Sequence, residues 1–162
     1  MKNNNKPKIG LALGSGGTRG LTIIGVLKVL KKYEIDIDYI AGSSIGAIIG
    51  GAYAIEKDID KIEKIALTLQ YKEIVNSLAD LGRMDGFIRG DKLVGKIKSY
   101  IGERKIEDLE IPFAAVATDK DTGDPVTLDH GDLASAMRAS SSIPIVFESF
   151  EGLNNKLLDG GV

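Results

Sequence analysis

The chain has 162 residues, of which 43% are hydrophobic and 27% charged, with a formal net charge of −2. That length suits one domain with a real core, the composition is that of an ordinary globular protein, and the charge offers no basic face for nucleic acid. There are no cysteines and one histidine, His130, which excludes disulfides, thiolate zinc sites, a cysteine nucleophile and any metal site needing two imidazoles.

Residues 1–7 read as a flexible polar arm. The apolar run Ile9 to Leu13 is too short for an export signal and leads into glycines, which suits a buried parallel strand. From Gly20 to Tyr33 the pattern becomes helical, with Ile23, Val26, Leu27 and Leu30 on one face and lysines 28, 31 and 32 on the other. A short strand, Tyr39 to Gly42, then meets an apolar helix beginning near Ser44. The stretch Tyr39 to Ile55 carries no charge and spaces Gly42, Gly46 and Gly50 as in a membrane helix-packing face. It sits at the short limit for a spanning helix, and a buried strand, turn and helix has the same composition. A cytoplasmic protein, peripheral at the membrane, is the expectation.

Asp58 to Leu69 repeats the helical signal, Tyr71 to Ile88 is irregular, and Asp91 to Ile101 is amphipathic through Leu93, Val94, Ile97, Tyr100 and Ile101. Phe113 to Thr118 reads as a second apolar strand, Asp119 to Pro125 as a turn, and Val126 to Leu128 as the returning strand of a hairpin. Asp132 caps a short helix to Ala139. Ile143 to Phe150 is extended, because Pro144 rules out helix. Strands alternating with helices predict an α/β fold, a three-layer α/β/α sandwich around a central, mostly parallel sheet.

Three glycine-bearing segments carry candidate chemistry. Gly42-Ser43-Ser44-Ile45-Gly46 has the Gly-x-Ser-x-Gly spacing of a nucleophile elbow, in which a strained strand-to-helix turn exposes a serine hydroxyl. The other reading makes Ser44 a helix cap and the glycines packing contacts. Ser43, at the variable position of the motif, should point the other way. Gly14-Ser15-Gly16-Gly17-Thr18-Arg19-Gly20 follows a strand and opens a helix. It could cradle a pyrophosphate, although Arg19 stands where the third glycine of Gly-x-Gly-x-x-Gly belongs. It could instead turn the amides of Gly16, Gly17 and Thr18 toward an oxyanion, with Arg19 bonded to loop carbonyls rather than, as the alternative, meeting an anionic substrate. Asp159-Gly160-Gly161 is either a plain turn or the base that a serine enzyme requires. His130, in a polar Asp-His-Gly turn before Asp159, departs from the Ser, acid, His order of α/β-hydrolases and reads as an exposed loop residue.

Taken together, these residues resemble the patatin-like phospholipases. The likeness runs through Leu11 to Gly20, Gly25-Val26-Leu27, Gly42 to Ala47, Ala117-Thr118-Asp119 with Thr122-Gly123, Ala139 to Pro144 and Asp159 to Val162. The resemblance implies a patatin-like catalytic domain over residues 8–162 that lacks its carboxy-terminal part. It also implies a Ser–Asp dyad without histidine: Ser44 as nucleophile, Asp159 as general base, and Gly16, Gly17 and Thr18 as oxyanion donors. Gly14, Arg19, Gly20, Gly42, Gly46, Gly160 and Gly161 support the motifs. The implied reaction is hydrolysis of fatty acyl esters of lipids or phospholipids through an acyl-enzyme, with transient membrane contact and no metal or cofactor. Ser15 and Thr18 depart from the glycine and alanine usual in the loop, and neither change removes a backbone donor. An inactive lipid-binding remnant and a nucleotide-binding module are the alternatives.

Overall fold

The computed structural model describes residues 7–68, 90–142, 150–152 and 155–162. The irregular segment expected at Tyr71 to Ile88, all but the last residue of the extended run at Ile143 to Phe150 and nearly all of the amino-terminal arm lie outside them. In chain order the elements are β1 (Gly10–Leu13), a 3-10 turn (Gly17–Leu21), α1 (Thr22–Lys32), β2 (Tyr39–Ser43), α2 (Ile45–Glu56) and α3 (Ile59–Thr68). After these come α4 (Gly90–Ile101), β3 (Phe113–Asp119), β4 (Pro125–Leu128), α5 (Leu133–Ser140), β5 (Phe150–Gly152) and β6 (Asn155–Asp159). The protein is mixed α/β, with its central strands parallel.

β1, β2 and β3 lie side by side in parallel, with Leu13 opposite Gly42 and Ser43 opposite Val116. Because both crossovers step the same way across the sheet, the right-handed rule sends α1 and α2 to the same face. There Leu13, Ile40 and Phe113 pack against Gly50 of α2, and Gly51 of α2 faces Leu133 and Met137 of α5. Ala47, Ala54, Leu133 and Met137 are buried in this layer. This explains why α2 is apolar all round: it is enclosed by the sheet on one side and by helices on the others. The opposite face of β1 and β2 carries exposed Gly10, Ala12, Tyr39 and Ala41. Of the three expected layers, the described residues supply the sheet and the helices of one face. Among them, no helix is long and apolar enough to cross a membrane.

Two local readings shift. The first helix opens as a 3-10 turn, and its buried residues are Ile24 and Leu27, while Val26 is 49% exposed. The apolar stripe is therefore turned by a fraction of a helical turn from the face through Val26, since α2 and α3 approach from the Ile24 side. The second change is the β5–β6 hairpin, which the sequence did not announce.

The register of β3 brings two strand ends together. Ala115 pairs with both Gly42 and Leu128, and Ala117 pairs with both Val126 and Asp159. A strand has two edges, so β4 occupies one, and β2 and β6 share the other. β2 covers Phe113 to Val116, and β6 takes over at Ala117 running the opposite way. Their carboxy-terminal ends, Ser43 and Asp159, meet head to head along one edge of β3.

Candidate active site

Ser44 sits between β2 and α2 with φ 54° and ψ −123°. Only glycine takes up this region readily, and holding another residue there costs about 1–3 kcal/mol. Two close approaches enforce the turn. A Cβ on Gly42 would lie 2.6 Å from the Cα of Ala47, and one on Gly46 would lie 2.2 Å from the carbonyl oxygen of Leu13. Ser44 is 6% exposed, and its side chain makes no capping bond to α2. Its carbonyl accepts from the amides of Ala47 and Ile48 at 2.9 and 3.2 Å. The hydroxyl therefore does none of the work that the helix-cap reading assigned to it.

The loop after β1 bends at Gly17, φ 53°, into its 3-10 turn. Amides in the first turn of a helix have no partner within it, so those of Gly17 and Thr18 are available to an acceptor. Ser15 Oγ lies 2.7 Å from Ser43 Oγ, which ties this loop to the end of β2. Arg19 is exposed, and its expected bonds to loop carbonyls are not formed among the described residues; only its backbone takes part, its amide donating to Gly16 at 3.1 Å.

Asp159 is 4% exposed, and its Oδ1 accepts from the Gly161 amide at 2.8 Å. Its Oδ2 is fully buried with no hydrogen-bond partner among the described residues. Leaving a buried acceptor unpaired costs about 1–3 kcal/mol, and more when it is charged. The backbone around it is tightly held. The Asp159 amide donates to the Ser142 carbonyl at 2.8 Å, and its carbonyl accepts from Thr118 Oγ1 at 3.1 Å. Gly160 is pressed against β3 and β2: a Cβ there would fall 2.0 Å from the Val116 oxygen and 2.9 Å from Ser43 Oγ. A Cβ on Gly161 would fall 2.3 Å from Ser15 Oγ. All three glycine segments thus converge at the carboxy-terminal ends of β1 and β2.

Sequence reasoning did not find the residue joining these parts, Ser140 at the end of α5. Its hydroxyl accepts from the Ser44 amide at 3.0 Å and donates to the Val116 carbonyl at 2.5 Å. Its carbonyl accepts from the Gly160 amide at 3.1 Å. The available signal was a run of three serines closing an aspartate-capped helix. The cap itself is as expected: Asp132 accepts from the Ser135 amide at 2.8 Å. Burial pushes the Asp132 carboxyl up, but hydrogen bonds from Ser135 and Lys98 outweigh it and hold it below the usual range.

His130 stands apart. It is exposed, bonds through Nδ1 to Asp129 at 2.7 Å, and follows the far end of β4, whose Leu128 pairs low on β3 with Ala115. Asp119, also buried, accepts from the amides of Asp121 and Thr122 and closes the hairpin turn.

The fold and this cluster define an α/β protein with a strained serine and a buried aspartate at the ends of adjoining strands. The Patatin-like phospholipase family matches residues 11–162, and the chain belongs to that family. Over its whole length it is 38% identical to an uncharacterized NTE family protein of Mycobacterium bovis, spanning 45% of that protein. It is 35% identical, over 94% of its length, to a patatin-like phospholipase domain-containing protein of Caenorhabditis elegans, of which it spans 12%. Over 94% of its length it is also 32% identical to Lysophospholipase NTE1 of Eremothecium gossypii, spanning 10% of it. Among solved structures, VipD from Legionella pneumophila superimposes with a TM-score of 0.65 over 97% of this chain and 46% of its own, at 14% identity, which is a likeness of fold. The chain spans less than half the length of these relatives.

Proposed function

We propose that this chain is the hydrolytic part of a lipid acyl hydrolase working through Ser44 and Asp159. The observation that carries the reading is the buried Oδ2 of Asp159, unpartnered among the described residues, at the strand end facing that of Ser44, whose hydroxyl is not used as a cap. Family membership and likeness to a protein named as a lysophospholipase support a lipid ester as substrate.

In the proposed cycle Asp159 accepts the Ser44 proton as Oγ bonds to the ester carbonyl carbon. The amides of Gly16, Gly17 and Thr18 hydrogen-bond the resulting oxyanion, a contribution of about 3–4 kcal/mol for a single donor in comparable sites. Collapse breaks the bond to the leaving alkoxide, which takes the proton from Asp159 and departs as alcohol, leaving an acyl-serine. Water then gives a proton to Asp159 as it attacks. The second collapse frees the fatty acid and returns the proton to Ser44. Contact with a lipid surface delivers the substrate.

A fluorophosphonate probe and a long-chain ester test this directly. Wild type labels at Ser44 and turns over, whereas Ser44→Ala does neither. Labelling that persists in Ser44→Ala removes the nucleophile assignment. A folded wild-type chain that binds lipid without hydrolysing it returns the reading to a lipid-binding remnant.

A further inference from the structure

We infer that Ser140 is a positioning residue of this site, holding the Ser44 turn and the Asp159 strand in one register. The role rests on the proposed pairing of Ser44 with Asp159. Ser140 is fully buried at 0% exposure, so its hydroxyl must find its partners inside the protein. Its two serine neighbours show what a hydroxyl at a helix end does by default. Ser141 Oγ donates to the Met137 carbonyl at 2.8 Å, and Ser142 Oγ donates to the Arg138 carbonyl at 2.9 Å. Both are bonds back to the preceding turn of their own chain segment.

Ser140 breaks that pattern. Its hydroxyl leaves α5 altogether, donating to Val116 of β3 and accepting the Ser44 amide across 96 residues of sequence. The amide it holds belongs to the residue with the strained φ of 54°. Its carbonyl, one of those a helix end leaves free, takes the Gly160 amide next to Asp159. One residue therefore fixes the backbone of both proposed partners and the strand between them. Removing the hydroxyl leaves the buried Ser44 amide without its acceptor and frees the turn to relax. A shift of about 1 Å between reacting groups typically costs about a hundredfold in rate.

The experiment compares Ser140→Ala, Ser140→Thr and Ser140→Val in the full chain, beside wild type and Ser44→Ala. Threonine and valine have nearly equal volume and differ in the hydroxyl. Circular dichroism and thermal melts measure folding, steady-state ester hydrolysis gives kcat and KM, and fluorophosphonate labelling at Ser44 reports the nucleophile. The expected result is a fall in kcat of about 10- to 100-fold in folded Ser140→Ala, with KM within about twofold of wild type and labelling slowed in parallel. Ser140→Thr should exceed Ser140→Val by about tenfold or more in kcat, a comparison that stands even where the alanine variant does not fold. Wild-type kcat in folded Ser140→Ala overturns the role, as do equal rates for the Thr and Val variants, or a loss of activity matched by loss of folded protein. A wild-type chain that neither turns over nor labels at Ser44 overturns the pairing itself, and this role with it.

Discussion

The turn at Ser44 is written largely in small residues next to it in sequence, with Leu13 and Ser140 holding it from afar, whereas Asp159 is placed chiefly by partners distant from it. Gly42 lets the chain fold back onto Gly46 and Ala47, and Gly46 lets it lie against the Leu13 carbonyl of β1, approaches that no larger residue fits. Asp159 instead depends on Ala117 and Thr118 of β3, on the Ser142 carbonyl just past α5 and, through Gly160, on the carbonyl of Ser140 at the end of that helix. A local motif can specify a shape on its own. A residue held at long range needs the rest of the fold to be in place first.

The sharpest way to break this comparison is to delete each functional group while keeping the backbone. Ser44→Ala and Asp159→Asn should each lower ester turnover by about a thousandfold or more, with both proteins folded by circular dichroism. If Asp159→Asn hydrolyses like wild type, the aspartate holds the turn and nothing else.

A smaller effect comes from adding a methyl group. Gly46→Ala drives a Cβ onto the Leu13 oxygen and Gly160→Ala onto the Val116 oxygen; each should cost about 1–3 kcal/mol or more, read as a lower urea midpoint. Gly25→Ala is the control from α1, where a Cβ meets nothing within 4 Å. It should stabilise by about 0.5–1 kcal/mol, the helix preference of alanine over glycine.

The cap of α5 tests the long-range side of the comparison. Asp132→Ala should cost about 1 kcal/mol by loss of the cap. The folded Asp132 carboxyl titrates below its unfolded value. Its stabilisation is therefore present above the unfolded pKa and is lost as pH falls through the folded one. Urea midpoints of wild type and Asp132→Ala should converge on acidification, and a constant gap would show that the carboxylate charge is irrelevant. Ser15→Ala, which removes one half of the exposed hydroxyl pair with Ser43, should have a still smaller effect, within about 1 kcal/mol in the same unfolding measurement.

What the sequence reveals follows the same division. Apolar runs and helical periods locate β1, β2, β3 and α2 to α5 within a residue or two, because those signals lie in contiguous residues. The Gly-x-Ser-x-Gly spacing marks the turn at Ser44 for the same reason. The β5–β6 hairpin was hidden, since Asn155-Lys156-Leu157-Leu158 shows no alternation of its own. Ser140 lies in the Ala139 to Pro144 stretch of the family likeness, yet its role is hidden because the run Ser140-Ser141-Ser142 does not show which hydroxyl leaves the helix and which bond back into it. Periodicity alone places Val26 on the buried face, but the direction from which α2 and α3 approach is a tertiary fact.

The head-to-head meeting of β2 and β6 has a consequence for biosynthesis. In an emerging chain Ser44 and α2 are made well before β3, the strand on which β6 and the carboxylate of Asp159 dock. Under the proposed chemistry, a polypeptide that has not yet reached β6 carries the alcohol with no base to ionise it.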